Sequence, residues 1–103
     1  IANIGLQMQD PAGRRSASFS AFSARPNPFR DATEIPFYLS GPAELTLTIA
    51  DAQGRVIAHR MEAFPAGRST LIVRREELPG GGLFFYRLQT DTGEMKSGKI
   101  WAE

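Results

Sequence analysis

Residues 44–57 read ELTLTIADAQGRVI and carry the strongest structural signal in the chain. Leu45, Leu47 and Ile49 alternate with polar residues, which is the pattern of a strand with one buried face. The next segment, Asp51–Gly54, predicts a hairpin turn in which Gly54 supplies a positive φ angle. The chain then returns as a second strand, so this stretch predicts an antiparallel hairpin with one face in a core.

Short strands separated by turns continue along the chain. Turn signals recur about every 8–12 residues, which is typical of an all-β sandwich, and no window carries a helical apolar stripe for more than one turn. A weaker pattern over Ser18–Ala24 indicates a further strand at a sheet edge, and Arg74–Leu78 indicates one short helical turn. The predicted strands span residues 33–39, 44–50, 55–63, 69–73, 83–90 and 94–101. The sequence therefore predicts an antiparallel β-sandwich of about seven strands.

Two of these strands carry more specific expectations. In the strand over residues 55–63, Ile57, His59 and Met61 are expected to share a face, which makes His59 a partly buried packing residue. In the strand over residues 33–39, Pro36 lacks an N–H donor, so this strand is predicted to lie at a sheet edge.

Length and composition limit the classes of function. The chain has 103 residues, no cysteine and a formal net charge of +1, so it is one small domain without thiol chemistry or a strong attraction to nucleic acid. No apolar run is long enough to span a bilayer. Residues 1–24 are expected to be a linker and the tail of a preceding region, with a polar segment at Pro11–Ser18 and the folded domain at residues 25–103. Because the chain begins with Ile1, it is expected to be a piece of a longer protein.

Three motifs suggest chemistry, and each has a structural explanation. Asp91-Thr92-Gly93 is the aspartic-protease triplet, but polar residues lead into it and little chain follows, so a hairpin turn is expected. Residues 93–99 match a phosphate-binding loop up to Lys99 but lack the following Ser or Thr and the helix. His59 is the single histidine, and no nucleophile or carboxylate is patterned to orient it. We therefore expect no catalytic residue, no metal site and no cofactor.

The order of motifs from residue 25 onward is more specific than any one of them. Pro26-Asn27-Pro28-Phe29 opens the region, the Asp51–Ile57 hairpin follows, residues 78–88 read LPGGGLFFYRL, and Lys99-Ile100 lies near the end. In this order the motifs closely resemble the type A C-terminal sorting domain of proteins exported by the type IX secretion system. The resemblance covers about residues 25–103.

The resemblance implies an immunoglobulin-like sandwich without catalysis at the end of an exported passenger. An outer-membrane translocon would recognise the domain and a sortase would remove it, with cleavage in or beside residues 1–24. The implied partners are translocon and shuttle proteins, the sortase and the covalently linked passenger. The implied location is the periplasm in transit, then the outer-membrane surface or the medium. The matching positions are Pro26, Asn27, Pro28, Gly54, Gly82, Lys99 and Ile100.

The chemistry of the individual residues gives further expectations for some of these positions. Pro26 and Pro28 fix φ and predict a stiff, extended entry into the first strand. Gly54 and Gly82 are expected at turns. Lys99 lies on a terminal edge strand and has the least structural explanation, so a basic, unpaired edge is expected there, open to a docking partner or to a second copy.

Two other classes of function remain open. A related module that resembles the one in flagellar hook-capping proteins opens with a similar Asn-Pro-Phe motif, but it carries Trp-Asp-Gly where this chain has Ile72–Glu76. An adhesive or carbohydrate-binding sandwich would instead use a groove lined by outward aromatics such as Tyr38, Phe85 and Trp101.

Overall fold

The computed structural model describes residues 18–103, which form seven strands and one short 3₁₀-helix. The strands are β1 (Phe19–Ala21), β2 (Ala32–Leu39), β3 (Ala43–Ala50), β4 (Val56–Phe64), β5 (Gly67–Arg74), β6 (Gly82–Thr90) and β7 (Met95–Ala102). The 3₁₀-helix spans Arg75–Glu77, inside the short helical turn that the sequence predicts. No helix in this part of the chain has the length and apolar character needed to cross a membrane.

The strands pair in two antiparallel sheets. One sheet has the order β1-β2-β5, and the other has the order β4-β3-β6-β7. The chain passes between the sheets after β2, β4 and β5, which gives the Greek-key connections of immunoglobulin-like folds. The predicted all-β sandwich of about seven strands is confirmed.

Alternation along the strands builds a single core between the sheets. In β2, β3 and β6 every second side chain is buried, as the sequence predicts. The rings of Phe37 and Phe64 meet edge to face with centroids 4.8 Å apart, which joins the two sheets. The fully buried hydrophobic members of this core are Phe29, Ile35, Phe37, Leu39, Leu45, Ile49, Val73, Leu88 and Ile100. Because the core takes one face of each sheet, a recognition site has the outer faces and the strand edges available to it.

The β3–β4 hairpin closes through Asp51 and Gly54. The Oδ1 atom of Asp51 accepts from the main-chain N–H groups of Gln53 at 3.0 Å and Arg55 at 2.9 Å. The Arg55 Nε atom pairs with Oδ2 at 3.0 Å. These hydrogen bonds, chiefly the one from the Arg55 main chain, lower the pKa of Asp51. Gly54 has φ +88°, which confirms the predicted turn.

The prediction that Pro36 places its strand at a sheet edge is wrong, because β2 is the middle strand of its sheet. Phe22 N–H donates to the Pro36 carbonyl at 2.9 Å, so the nitrogen of Pro36 also faces the β1 side. Since β1 ends at Ala21, only one hydrogen bond is lost there and pairing with β5 is intact. A proline is tolerated in this central strand because its neighbour is only three residues long.

The prediction that His59 is a packing residue is also wrong. The β3–β4 pairing shifts register between Ile49 and Ala50, and His59 then pairs with Thr48 on the outer face of the sheet. His59 and Met61 are exposed, whereas Ile57 is half-buried. A bulge after the hairpin thus reverses the face that alternation predicted for this strand.

The described part of the chain before residue 25 packs on the sandwich. β1 pairs with β2 over Phe19–Ala21, and the side chains of Phe19 and Ala24 are buried in the common core. Residues 1–17 lie outside the described residues. They include the predicted tail, nearly all of the predicted linker, and most of the region expected to contain the cleavage position.

Candidate recognition site

Four of the predicted positions meet on one side of the sandwich. A groove of about 450 Å³ lies where the proline motif crosses the end of β7. The residues that line it are Asn27, Pro28, Leu83, Lys99, Ile100 and Trp101. The fold therefore brings Asn27 and Lys99 together, although they are 72 positions apart in sequence.

The Asn27 side chain bonds to the outer edge of β7 as a peptide group of an added strand would. Its Nδ2 donates to the Lys99 carbonyl at 3.0 Å, and its Oδ1 accepts from the Trp101 N–H at 2.7 Å. Next to it, Phe29 N–H donates to the Trp101 carbonyl and the Phe29 carbonyl accepts from Glu103 N–H, each at 2.9 Å. We call these four hydrogen bonds the Asn27–Phe29 clamp. They pair the C-terminal part of β7 on its outer side.

The clamp corrects the expectation of an unpaired edge around Lys99. From the Lys99 carbonyl onward, the outer edge of β7 already has partners within the domain. A carboxamide suits this position because it supplies one donor and one acceptor in the plane of a peptide group. The Lys99 side chain itself is exposed and lies on the outer face opposite Phe85.

The predicted stiff, extended entry at Pro26 and Pro28 is wrong, because the chain bends at residues 26–28. Phe29 is buried at 1% exposure and the Pro26 carbonyl accepts from the Oγ1 of buried Thr33 at 2.8 Å, so the segment is folded back onto the core. Both prolines follow cis peptide bonds. The Asn27 side chain of this bent segment lies against the edge of β7 and bonds to Lys99 and Trp101.

Three of the predicted positions have structural roles in the sandwich. Gly54 forms the hairpin turn as expected, and Ile100 is fully buried in the core. The expected turn at Gly82 is wrong, because Gly82 is the first residue of β6, where it pairs with Ala102 at φ +122°. Gly82 and Gly54 lie outside the 450 Å³ groove, whereas Ile100 contributes to its wall.

Ala102 and Glu103 pack and bond in the same region. Ala102 is buried, and the Glu103 carboxylate pairs with Arg30 through Oε1 and Nε at 3.0 Å. Arg75 Nε also donates to the Glu103 main-chain oxygen at 3.0 Å. The segment Trp101–Glu103 is thus held at the clamped end of β7.

Gly98 and Tyr86 form a contact that the sequence analysis did not identify. They are paired residues of β7 and β6, and a Cβ atom at Gly98 would lie 2.5 Å from the Tyr86 hydroxyl oxygen. The Tyr86 ring therefore occupies the space above Gly98, and burial raises the pKa of Tyr86. Both residues lie in or beside the sequence motifs, since Gly98 precedes Lys99 and Tyr86 lies in LPGGGLFFYRL. Their contact depends on the register between β6 and β7, which the motifs do not specify.

The outer face of the four-stranded sheet carries a second, larger groove of about 780 Å³. Phe85 is 39% exposed there, and Trp101 is 52% exposed on the adjacent strand. Tyr38, the third predicted outward aromatic, lies on the other sheet. Phe85 and Trp101 are therefore exposed on one face of the same sheet, Phe85 at the 780 Å³ groove and Trp101 at the 450 Å³ groove, whereas Tyr38 is not near them.

The motifs with possible chemistry lie in turns and strands. The protease-like triplet lies in the turn from Thr90 to Gly93. The Gly93 N–H closes this turn by donating to the Thr90 carbonyl at 3.0 Å. Residues 95–99 of the phosphate-loop match are extended in β7. Within residues 18–103, no group of three or more His, Asp or Glu side chains is placed to hold a metal ion.

Comparison with known proteins gives structural similarity only. No family model and no curated protein sequence matches the chain. The fold is similar to part of dimeric latent PorU from Porphyromonas gingivalis, a protein of the type IX sorting system, with a TM-score of 0.66 and 14% identity. The match covers 89% of this chain and 10% of PorU. A β-glucosidase from Listeria innocua, in complex with isofagomine, matches at TM-score 0.49 and 13% identity over 84% of this chain and 16% of the enzyme.

Proposed function

We propose that this chain is a non-catalytic C-terminal sorting domain that directs a passenger through the type IX outer-membrane translocon and is then removed by a sortase. In this proposal the protein is exported, and it passes through the periplasm to the cell surface or the medium. The observation that carries the proposal is the Asn27–Phe29 clamp, which joins the first and last motifs of the sorting-domain pattern by direct hydrogen bonds.

The clamp supports the proposal because it brings the motifs at the two ends of the sorting-domain pattern into direct contact. Asn27 and Phe29 hold β7 in place, and the Lys99 side chain lies on the outer face beside the groove that Asn27 and Pro28 border. A surface assembled from both ends of the domain exists only in the folded state. The similarity in fold to part of PorU is consistent with a related role.

The test is an export assay on the full chain, fused behind a signal peptide and a fluorescent passenger in a host with a working type IX system. Truncation after Lys96 would remove buried Ile100 and Ala102 and would unfold the domain. We therefore choose Lys99→Glu, which changes an exposed cation. The matched control is Arg68→Glu, which reverses an exposed charge on the other sheet.

The unaltered fusion is expected on the surface or in the medium, with a domain-sized piece removed. Lys99→Glu should reduce export by roughly tenfold or more, as expected when a charge contact of about 1.4 kcal/mol or more is replaced by repulsion. Arg68→Glu should be exported normally. Retention of the unaltered fusion in the periplasm, with the domain still folded, would contradict the proposal.

A carbohydrate-binding function is the second candidate, and the shared exposure of Phe85 and Trp101 favours it. Sugar rings stack on such aromatic faces. Glycan-array binding that is lost in a Phe85→Ala, Trp101→Ala double variant, together with failure of export, would establish this alternative.

A further inference from the structure

Part of the outer edge of β7 is open. Since the carbonyl of Lys99 and both main-chain groups of Trp101 point away from β6, the main-chain groups of Ser97 point the same way. Within residues 18–103 the Ser97 N–H and carbonyl have no hydrogen-bond partner on that side. The open stretch runs from Met95 to the Lys99 N–H, where the Asn27–Phe29 clamp begins.

Among residues 18–103, side-chain contacts bridge the edge strands on the far side of the sandwich. There, Arg60 of β4 reaches across to β5, and its Nη2 donates to the Ile72 carbonyl at 2.7 Å. Its Nη1 pairs with Glu77 at 3.3 Å. These contacts cross the gap between the edge strands, so β7 is the better candidate for strand addition.

A cavity lies on each face of the open edge. The 780 Å³ groove is on the outer face, where small Ser97 leaves Arg87 of β6 accessible between Met95 and Lys99. A cavity of about 230 Å³ is on the inner face, where Gly98 has no side chain and Tyr86 forms one wall. Because side chains of a strand alternate between faces, two consecutive residues of an added strand would enter these two cavities in turn.

The charges at this edge have one sign. The residues that line the two cavities include Arg87, Lys96 and Lys99 and no carboxylate. None of these three takes part in the ion pairs found among residues 18–103, which join Arg30–Glu103, Arg55–Asp51 and Arg60–Glu77. The complementary side chain on the outer face, where Arg87 and Lys99 lie, is therefore an acidic one, whereas the 230 Å³ cavity on the inner face has room only for a small side chain.

We propose that β7 receives an extended segment of a partner protein as an added strand over Met95–Lys99. Its acidic side chain crosses Ser97 toward Arg87 and Lys99, and the small side chain next to it enters the cavity beside Tyr86. The proposal rests on the sorting function above and names the chemistry of the partner that reads the domain. The clamp sets the length of the added strand by occupying the edge beyond Lys99.

The test uses the capped peptide Thr-Val-Glu-Val-Thr, titrated into the ¹⁵N-labelled full chain. Ser97→Pro removes the outward N–H and should leave the sheet intact, since proline is tolerated where a donor faces solvent at an edge. Ser97→Ala is the matched control. Far-UV circular dichroism and the amide spectrum establish that each variant is folded.

We expect saturable shifts at the Ser97 and Lys99 amides with a Kd of about 1 mM. Ser97→Pro should weaken binding at least tenfold and Ser97→Ala less than twofold. A peptide with Gln in place of Glu should bind several-fold more weakly, and this difference should shrink at high salt. Equal binding by folded Ser97→Pro, equal binding of the Gln peptide, or no saturable shift up to about 5 mM would each overturn the proposal.

The export assay separates this proposal from the sorting function. If the unaltered fusion is exported and folded Ser97→Pro is exported equally well, sorting stands and strand addition at β7 is wrong. If Ser97→Pro stays in the periplasm while Ser97→Ala is exported, strand addition is supported. If the unaltered fusion is not exported, the sorting function is overturned, and the peptide titration alone decides what the edge binds.

Discussion

Replacing Asn27 with Ala should release the C-terminal part of β7 from its outer partner. The substitution removes a donor to the Lys99 carbonyl and an acceptor for the Trp101 N–H. Asn27 is exposed, so no cavity forms in the core and the loss should be confined to the two hydrogen bonds. The flanking bonds of Phe29 to Trp101 and Glu103 would remain but would lose their neighbour.

The size of the effect follows from the number of hydrogen bonds. Each contributes a net of about 0.5–1.5 kcal/mol, so the free energy of unfolding should fall by about 1–3 kcal/mol. If the loss appears as local opening of β7, amide exchange at Trp101 should accelerate roughly 5- to 150-fold, because each 1.4 kcal/mol is a factor of ten. Exchange in β3, which lies two strands away from β7, should accelerate less.

The assay combines urea unfolding, followed by fluorescence of the single tryptophan, Trp101, with hydrogen exchange of its amide. Asn27→Asp is the matched variant, since it keeps the acceptor for Trp101 and places an acceptor against the Lys99 carbonyl. Repulsion there should raise the pKa of the introduced carboxyl above about 3.9. The stability of Asn27→Asp relative to Asn27→Ala should therefore increase as pH falls through that pKa, when the protonated group can donate again.

One combination of results would show that the two Asn27 hydrogen bonds do not stabilise β7. Asn27→Ala would have to retain its stability to within about 0.5 kcal/mol and show unchanged exchange at Trp101. In that case the two hydrogen bonds do not hold β7, and the link between the first and last motifs has another basis.

Three further predictions concern the Gly98–Tyr86 contact and the β3–β4 hairpin. Gly98→Ala should destabilise the protein by about 1–3 kcal/mol through overlap with Tyr86, and a double-mutant cycle with Tyr86→Leu, by urea unfolding, should recover part of that loss. Gly54→Ala should cost about 1 kcal/mol, with Gly54→Asn costing less, because φ is +88° and no atom lies within 4 Å of the added Cβ; equal costs would contradict this. The lowered pKa of Asp51 means that its stabilising contribution is present above the unfolded-state pKa near 3.8 and is lost as pH falls through the folded-state value. Asp51→Asn should thus flatten the acid limb of the stability–pH curve, and an unchanged curve would show that Asp51 does not contribute.

Much of the fold follows from alternation and turn chemistry. Leu45, Leu47 and Ile49 are buried as the sequence predicts, and Gly54 occupies the expected turn. These features depend on residues within one strand or one hairpin, whose physics is local. They sufficed to predict the sandwich.

The errors have a common physical origin in pairing between strands. The face of His59 was set by a register shift opposite Ile49, and the position of Pro36 was set by the length of a neighbouring strand. The Asn27 and Lys99 contact depends on two segments that only the complete fold brings together. Tertiary register of this kind leaves no periodic signal in the sequence.

The dependence of the site on strand pairing also explains how a partner can distinguish this small sandwich from others. Its core and hairpins are features that any stable β-sandwich needs, so they carry little specificity. The edge of β7 differs because its length is fixed from outside by Asn27 and its side chains are cationic on both faces. A partner that adds a strand there reads main-chain geometry and charge together, and opening of the clamp would remove the fixed end of that edge. Recognition of the folded domain would then be coupled to the integrity of its first and last motifs, which contact with the Lys99 side chain alone could not achieve.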